Sequence, residues 1–177
     1  MKRVLTPLLV VALVLALAAP AGAKPMEDKS MGTFMYDYVD AVSGPGTYVI
    51  SFAARGTPDH GSGYTRWDVL GGDGRSAVVL WNVTAYQQMS TTSAAFLAVC
   101  TFAEGPIDML GTVLAVGTSE MAFAVEDNGQ GVKEAKDRFL FVYGPPPVTF
   151  STLLCLLPYM SAIDGGNIKV KPGSPEL

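Results

Sequence analysis

The single histidine of the chain, His60, is the first residue to consider for catalysis, because a serine nucleophile needs a base within reach. It lies in a glycine-rich segment directly after Asp59, which would orient the imidazole. Ser62 or Ser51 would then supply the attacking hydroxyl. Adjacent Asp and His residues in a turn seldom adopt triad geometry, so a hydrolase is the least favoured hypothesis. We expect His60 to be a solvated loop residue and predict no catalytic residues.

A second group of polar side chains lies at the turn formed by Asp127, Asn128 and Gly129, with Asp137 a short distance along the chain. Their oxygen atoms are of the kind that Ca²⁺ prefers, but the spacing does not match a calcium-binding loop. One histidine and two distant cysteines exclude a four-ligand zinc site. We therefore predict no metal and no cofactor. Asp127 and Asn128 are expected to bond their own backbone and fix the turn, while Asp137 begins the next strand.

The two cysteines, Cys100 and Cys155, are candidates for a disulfide. Each lies in an alternating stretch, Cys100 in phase with Phe102 and Cys155 in phase with Leu157, so both are expected to face the apolar side. In an oxidising compartment a bond between them would close a long loop and stabilise the fold by roughly 4 kcal/mol. The alternative is a pair of buried free thiols.

Three large aromatic residues occupy predicted inward positions, namely Trp67, Trp81 and Phe123. Such residues usually fill the core of a β domain. The alternative is that they line a cavity that holds a small apolar ligand.

The first 23 residues predict export. Two basic residues are followed by an apolar run from Leu5 to Ala19, and Ala21–Ala23 reads as an A-x-A cleavage site. The run is shorter than the roughly 20 residues of a membrane anchor. We predict a signal peptide over residues 1–23, a secreted mature chain from Lys24, and no membrane insertion after cleavage.

The mature chain is acidic. Removing the 23 residues takes away two of the 12 basic residues and none of the 16 acidic ones, so the net charge changes from −4 to −6. Nucleic-acid binding is disfavoured, because a phosphate-binding surface needs the opposite sign of charge. We expect a monomer, and the pattern identifies no partner.

From Gly46 onward, apolar residues alternate with a period of two, which is typical of β-strands separated by Gly- and Asp-rich turns. The nine predicted strands are Thr47–Ala54, Gly63–Val69, Ala77–Thr84, Ala94–Phe102, Gly111–Val116, Glu120–Glu126, Arg138–Tyr143, Thr149–Leu157 and Asn167–Lys171.

These strands predict one all-β domain over residues 46–171. A single antiparallel barrel of eight to nine strands is favoured, and a two-sheet β-sandwich is the alternative. Residues 24–45 show no clean period and are predicted to be an N-terminal leader that either packs on the domain or stays loose. Residues 172–177 are predicted to be a C-terminal tail.

Several motifs occur in a characteristic order, which begins with a strand that contains Gly63 and Tyr64. It continues through Trp81–Thr84, the turn Val125–Gly129, the strand start Asp137–Phe139 and the final strand Gly165–Val170. This order resembles the post-COAP family, a small secreted β domain of bacteria. Its turn reads V-x-D-N-G-x-x-G-x-x-D-x-F and its last strand S-G-G-N-I-x-V. The resemblance implies an extracellular, non-catalytic module of bacterial origin without an assigned activity.

The favoured hypothesis is therefore a secreted, non-catalytic β-barrel module with a binding or structural role. The alternative is a carrier of a small apolar ligand inside the barrel. A filled interior argues for the first, and a large internal void argues for the second.

Overall fold

The alternating sequence pattern forms a nine-stranded antiparallel sheet in the computed structural model, which describes residues 27–40, 44–106, 114–129 and 135–173. In chain order the strands are β1 (Lys29–Asp40), β2 (Gly44–Thr57), β3 (His60–Gly71), β4 (Ser76–Gln88), β5 (Ser93–Glu104), β6 (Glu120–Glu126), β7 (Arg138–Gly144), β8 (Ser161–Ala162) and β9 (Gly165–Lys171). Their order in the sheet is β8-β7-β6-β5-β4-β3-β2-β1-β9.

The sheet curls into a half-barrel, so the all-β class is confirmed and the predicted barrel is approximately right. The described strands form one curled sheet, in contrast to the two facing sheets of the alternative sandwich. Inward side chains from most of the strands form the main core. Its largest fully buried members include Phe34, Ile50, Trp67, Trp81, Tyr86, Phe96, Phe123 and Ile168.

Aromatic side chains of β7 reach across the curl and pack on the strands at the opposite side of the sheet. The ring of Phe139 lies 4.7 Å from that of Phe34 on β1, and Phe141 lies 4.7 Å from Trp67 on β3. Each such ring pair adds about 0.5–1.5 kcal/mol beyond the apolar area that it buries. The half-barrel is therefore held in its curled shape by side-chain packing as well as by the strand ladder.

The expectation that residues 24–45 are a leader is wrong for Lys29–Asp40, which form strand β1 of the sheet. Lys29–Asp40 pairs with β2 on one side and with β9 on the other. Its outer positions carry Met31 and Met35, so polar and apolar residues do not alternate cleanly along this strand. The strand is ordered by its two neighbours rather than by its own sequence pattern.

The predicted strand Thr149–Leu157 is wrong, because this segment forms the short helix α1 (Phe150–Leu154), followed by a 3₁₀ turn at Leu157–Tyr159. Leu153 packs against the small side chains of Ala95, Ala122 and Ala124 on the outer face of the sheet. Apolar residues four positions apart fit one face of a helix as well as one face of a strand, which explains the error. Within the described part of the chain, no helix is long and apolar enough to cross a membrane.

The other predicted strands fall within β2 to β7 and β9. The predicted strand Gly111–Val116 lies largely outside the described residues, and residues 114–116 are not in a strand.

Candidate functional site

The side chains of the predicted turn residues form a network of hydrogen bonds with backbone groups. Asp127 Oδ1 accepts the N–H of Gly129 at 3.0 Å, and Asp137 Oδ1 accepts the N–H of Asn128 at 2.9 Å. The amide Nδ2 of Asn128 donates to the carbonyl of Lys136 at 3.0 Å. The Asp127 contact has the predicted form, whereas the Asn128 side chain bonds the carbonyl of Lys136 and Asp137 directly precedes β7.

The same two aspartates also hold the edge strand β9, and we call Asp127 and Asp137 the carboxylate clamp. Asp137 Oδ2 accepts the N–H of Ile168 at 2.7 Å, and Asp127 Oδ2 accepts the N–H of Val170 at 3.2 Å. Asp137 is only 5% exposed. All four carboxylate oxygens of the clamp therefore accept backbone N–H groups. Among the described residues, no group of three or more His, Cys, Asp or Glu side chains is placed to hold a metal ion.

The structure brings together Trp67, Trp81 and Phe123 as members of the packed core. Each is at most 1% exposed. The rings of Trp67 and Trp81 lie 5.3 Å apart, and Phe123 stacks on Phe96 at 5.0 Å. The aromatic side chains thus occupy the interior of the half-barrel. The Nε1 atoms of both tryptophans are buried and have no hydrogen-bond partner within the described structure.

Cys100 and Cys155 are both free thiols. Cys100 is buried on β5, where its Sγ lies 3.5 Å from the carbonyl oxygen of Phe102, and burial raises the pKa of the thiol. Cys155 follows helix α1 and is exposed. The expectation that both cysteines face the core is therefore wrong for Cys155, because its segment is helical.

His60 is exposed where the hairpin between β2 and β3 turns. The Oγ of Ser62 accepts a hydrogen bond from Arg55 Nε at 3.1 Å, and the Oγ of Ser51 lies 3.1 Å from Thr33 Oγ1. Ser51 is also six residues along β2 from the residue that pairs with His60, a distance of about 20 Å. Among the described residues, no hydrogen bond joins the His60 imidazole to either serine or to Asp59.

The outer face of the sheet carries a shallow groove of about 420 Å³ across β9, β1, β2 and β3, which we call the outer groove. One cross-strand row runs from Lys169 through Met31 and Ala53 to Tyr64. Met31 is 40% exposed and Tyr64 is 53% exposed, and the small side chain of Ala53 between them leaves the row low at its centre. The groove is lined by Met31, Thr33, Ala53, Tyr64, Asn167 and Lys169.

A row of cations borders the outer groove. Lys171 lies directly opposite Lys29, and Lys29 lies directly opposite Arg55. Together with Lys169, which lies two residues before Lys171 on β9, these residues form what we call the basic cluster. Arg55 contacts Glu27 at 3.6 Å, whereas within the described structure no carboxylate lies within ion-pair distance of the three lysines.

On the opposite side of the groove, Arg66 and Asp68 form a two-point ion pair, with Nε–Oδ2 and Nη2–Oδ1 distances of 2.8 and 2.6 Å. The hydrogen bonds and the charge of Asp68 raise the pKa of the Arg66 guanidinium. Arg66 is therefore compensated, and among the described residues of this face the cations without a carboxylate partner are the three lysines of the basic cluster.

The outer groove is absent from the sequence-based hypotheses, because its residues come from four strands and meet only through the register of the sheet. The alternating polar positions of β2, β3 and β9 identify outward residues, but nothing in the pattern of residues 24–45 places β1 between β2 and β9.

Comparisons of the chain with protein-family models, with curated proteins and with solved structures return no match.

Proposed function

We propose that this protein is an exported, non-catalytic β module that binds its ligand on the outer groove. The observation that carries the proposal is the contrast between the two faces of the sheet. The inner face is filled by aromatic rings, whereas the outer face has an open groove bordered by lysines that have no carboxylate partner among the described residues.

The composition of the groove supports a role in binding. Exposed Met31 and Tyr64 provide apolar contact, and Thr33 and Asn167 provide hydrogen-bonding groups. Binding sites characteristically combine apolar side chains with a few polar groups that fix the orientation of the ligand. The export signal and the resemblance to the post-COAP family favour a ligand outside the cell.

A carrier of a small ligand is the second candidate. It is favoured by one observation, which is that the indole N–H groups of Trp67 and Trp81 are buried without partners in the described structure. An unpaired buried donor costs about 1–3 kcal/mol, and the acceptor group of a bound molecule would remove that cost. Against it, the two rings already pack on each other and on neighbouring aromatic side chains.

The proposal is tested by affinity electrophoresis of the mature protein through gels that contain soluble extracellular polymers, both neutral and charged. We expect one class of polymer to retard the protein, and Tyr64→Ala to abolish the retardation. Tyr159→Ala is the matched control, because Tyr159 is also exposed, at 74%, but lies beside helix α1. Retardation that Tyr64→Ala leaves unchanged would refute the outer groove as the binding site. Cleavage of the polymer by the protein would refute the non-catalytic role.

A further inference from the structure

We infer that the ligand of the outer groove is an anionic carbohydrate chain, whose acidic groups are bound by the basic cluster and whose sugar rings contact Tyr64. This inference rests on the proposed function and adds the chemical class of the ligand. It is carried by the charge of this face, by the polar groups in the groove, and by the exposed aromatic ring.

The basic cluster is an arrangement that the fold itself does not require. Lys29 and Lys171 are cross-strand partners, and like charges in that position are destabilising. The two neighbouring acids are already engaged, because Glu27 contacts Arg55 and Asp28 Oδ1 accepts the N–H of Gly173. An anion bound from outside would compensate the lysines, which have no carboxylate partner in the described part of the chain.

The spacing of the cluster suits a chain with repeated acidic groups. Lys169 and Lys171 are two residues apart on β9, which separates them by about 7 Å along the strand. Lys29 lies opposite Lys171, with about 5 Å between their Cβ atoms. A ligand with acidic groups at intervals of one sugar ring can therefore contact two lysines at once.

The groove itself favours a carbohydrate over other polyanions. It continues from Lys169 past Met31 and Ala53 to the exposed ring of Tyr64, and aromatic rings pack against the apolar faces of sugars. The side-chain amide of Asn167 makes no hydrogen bond to the rest of the described structure, so its two N–H donors and its oxygen acceptor are available to hydroxyl groups.

Other anionic partners fit this face less well. A lipid surface would need a broad, continuous apolar face, whereas the row beside Met31 carries the hydroxyls of Thr33 and Ser51. A nucleic acid carries a phosphate about every 3.4 Å of strand and is bound along a continuous basic surface, whereas the cations beside the outer groove are confined to the basic cluster.

The inference is tested by isothermal titration calorimetry of the mature protein with tetragalacturonate and with a sulfated tetrasaccharide. Maltotetraose, phosphatidylglycerol vesicles and a single-stranded oligonucleotide serve as comparators. We expect at least one anionic tetrasaccharide to bind, with an affinity that falls as salt is raised, because exposed charges are screened. We expect maltotetraose, the vesicles and the oligonucleotide to bind at least tenfold more weakly.

Charge-reversal variants locate the binding site. Lys169→Glu should weaken binding of the anionic tetrasaccharide at least tenfold, whereas Lys136→Glu should change it less than threefold. Lys136 is a matched control, because its side chain is also exposed and the change in net charge is the same, and thermal melts establish that both variants are folded.

Equal effects of the two substitutions, or absence of anionic-tetrasaccharide binding, would overturn the inference. Preference for the vesicles or the oligonucleotide would also overturn it. If maltotetraose binds and Tyr64→Ala abolishes that binding, the proposed function stands and only the anionic character of the ligand is refuted.

Discussion

At the scale of single residues, the carboxylates of Asp127 and Asp137 replace a neighbouring strand along part of β9. An edge strand presents unpaired N–H groups on its open side, which is a liability for aggregation. Here the N–H groups of Ile168 and Val170 instead donate hydrogen bonds to the carboxylates of the clamp. The turn that these aspartates fix and the strand that they hold are 31 or more residues apart in sequence, so the clamp is a long-range tertiary contact.

Removing the buried member of the clamp should be costly. Asp137→Ala leaves the N–H groups of Asn128 and Ile168 without their acceptor, so we expect the free energy of unfolding to fall by about 3 kcal/mol. Urea denaturation measures this change. Asp59→Ala is the control, because Asp59 is exposed at a hairpin tip, and its effect should stay within about 0.5 kcal/mol. Similar stability of the two variants would show that the clamp contributes little.

The two thiols should react differently with iodoacetamide in the folded protein. Cys155 is exposed, whereas Cys100 is buried and burial raises its pKa, which disfavours the reactive thiolate. Mass spectrometry should detect one adduct under native conditions and two adducts in urea. No adduct in non-reducing urea would instead indicate the disulfide that was predicted from the sequence.

Tyr86 should make stability depend on pH in the alkaline range. Burial raises the pKa of this fully buried phenol to about 12, whereas a tyrosine in the unfolded chain ionises near 10. Between these values the unfolded chain loses a proton that the folded protein keeps, so the free energy of unfolding falls as pH rises, by up to roughly 2 kcal/mol. Urea denaturation from pH 9 to pH 12 should show a smaller decline for Tyr86→Phe. Identical declines in the two proteins would contradict the assignment to Tyr86.

At the scale of elements, β1 determines how the sheet is assembled. It joins β2 to β9, and β9 in turn meets the clamp on its other side. The groove on the outer face also depends on β1, because Met31 and Thr33 lie between the contributions of β9 and β2. A change in β1 therefore affects both the fold and the candidate site.

Deletion tests this role directly. A chain that starts at Gly44 lacks β1 and should show no cooperative urea transition, because β9 then loses its strand partner and Phe34 leaves the core. A chain that starts at Glu27 keeps every described residue and should unfold cooperatively. Circular dichroism monitors the unfolding. If the shorter chain also unfolds cooperatively, β1 is not required for the fold and the segment is a leader.

The elements that could be predicted from the sequence are those whose two faces differ in polarity. Strands such as β2 and β3 have buried residues at every second position, and this alternation is visible in the amino-acid pattern. Phe102 is an exception to this alternation. It shares the phase of buried Cys100 but is 41% exposed, because a register shift between Leu80 and Trp81 intervenes.

The candidate site could be predicted less well, because its residues become neighbours only through pairing. Lys29, Arg55 and Lys171 come from three strands, and their proximity follows from the register of β1 with both neighbours. The sequence does predict a structural role for the aspartates of the turn. Their contacts with β9 depend on the curl of the sheet, which the local pattern does not specify.

At the scale of the whole molecule, the two faces of one curled sheet have separate roles in this account. The inner face packs aromatic rings from nearly every strand and stabilises the fold. The outer face is free to carry an open, positively charged groove on a chain that is acidic as a whole. Binding at the outer groove therefore leaves the core undisturbed, whereas binding inside would require the rings to separate.

Whether the ligand binds outside or inside the half-barrel is tested by titrating ¹⁵N-labelled protein with the anionic tetrasaccharide and recording two-dimensional NMR spectra. The chain contains two tryptophans, so the indole N–H signals of Trp67 and Trp81 report specifically on the interior. We predict that the amide signals of Met31, Tyr64 and Lys169 shift on binding and that both indole signals stay in place. Shifts of the indole signals with unchanged signals along the outer groove would contradict the account and identify the interior as the binding site.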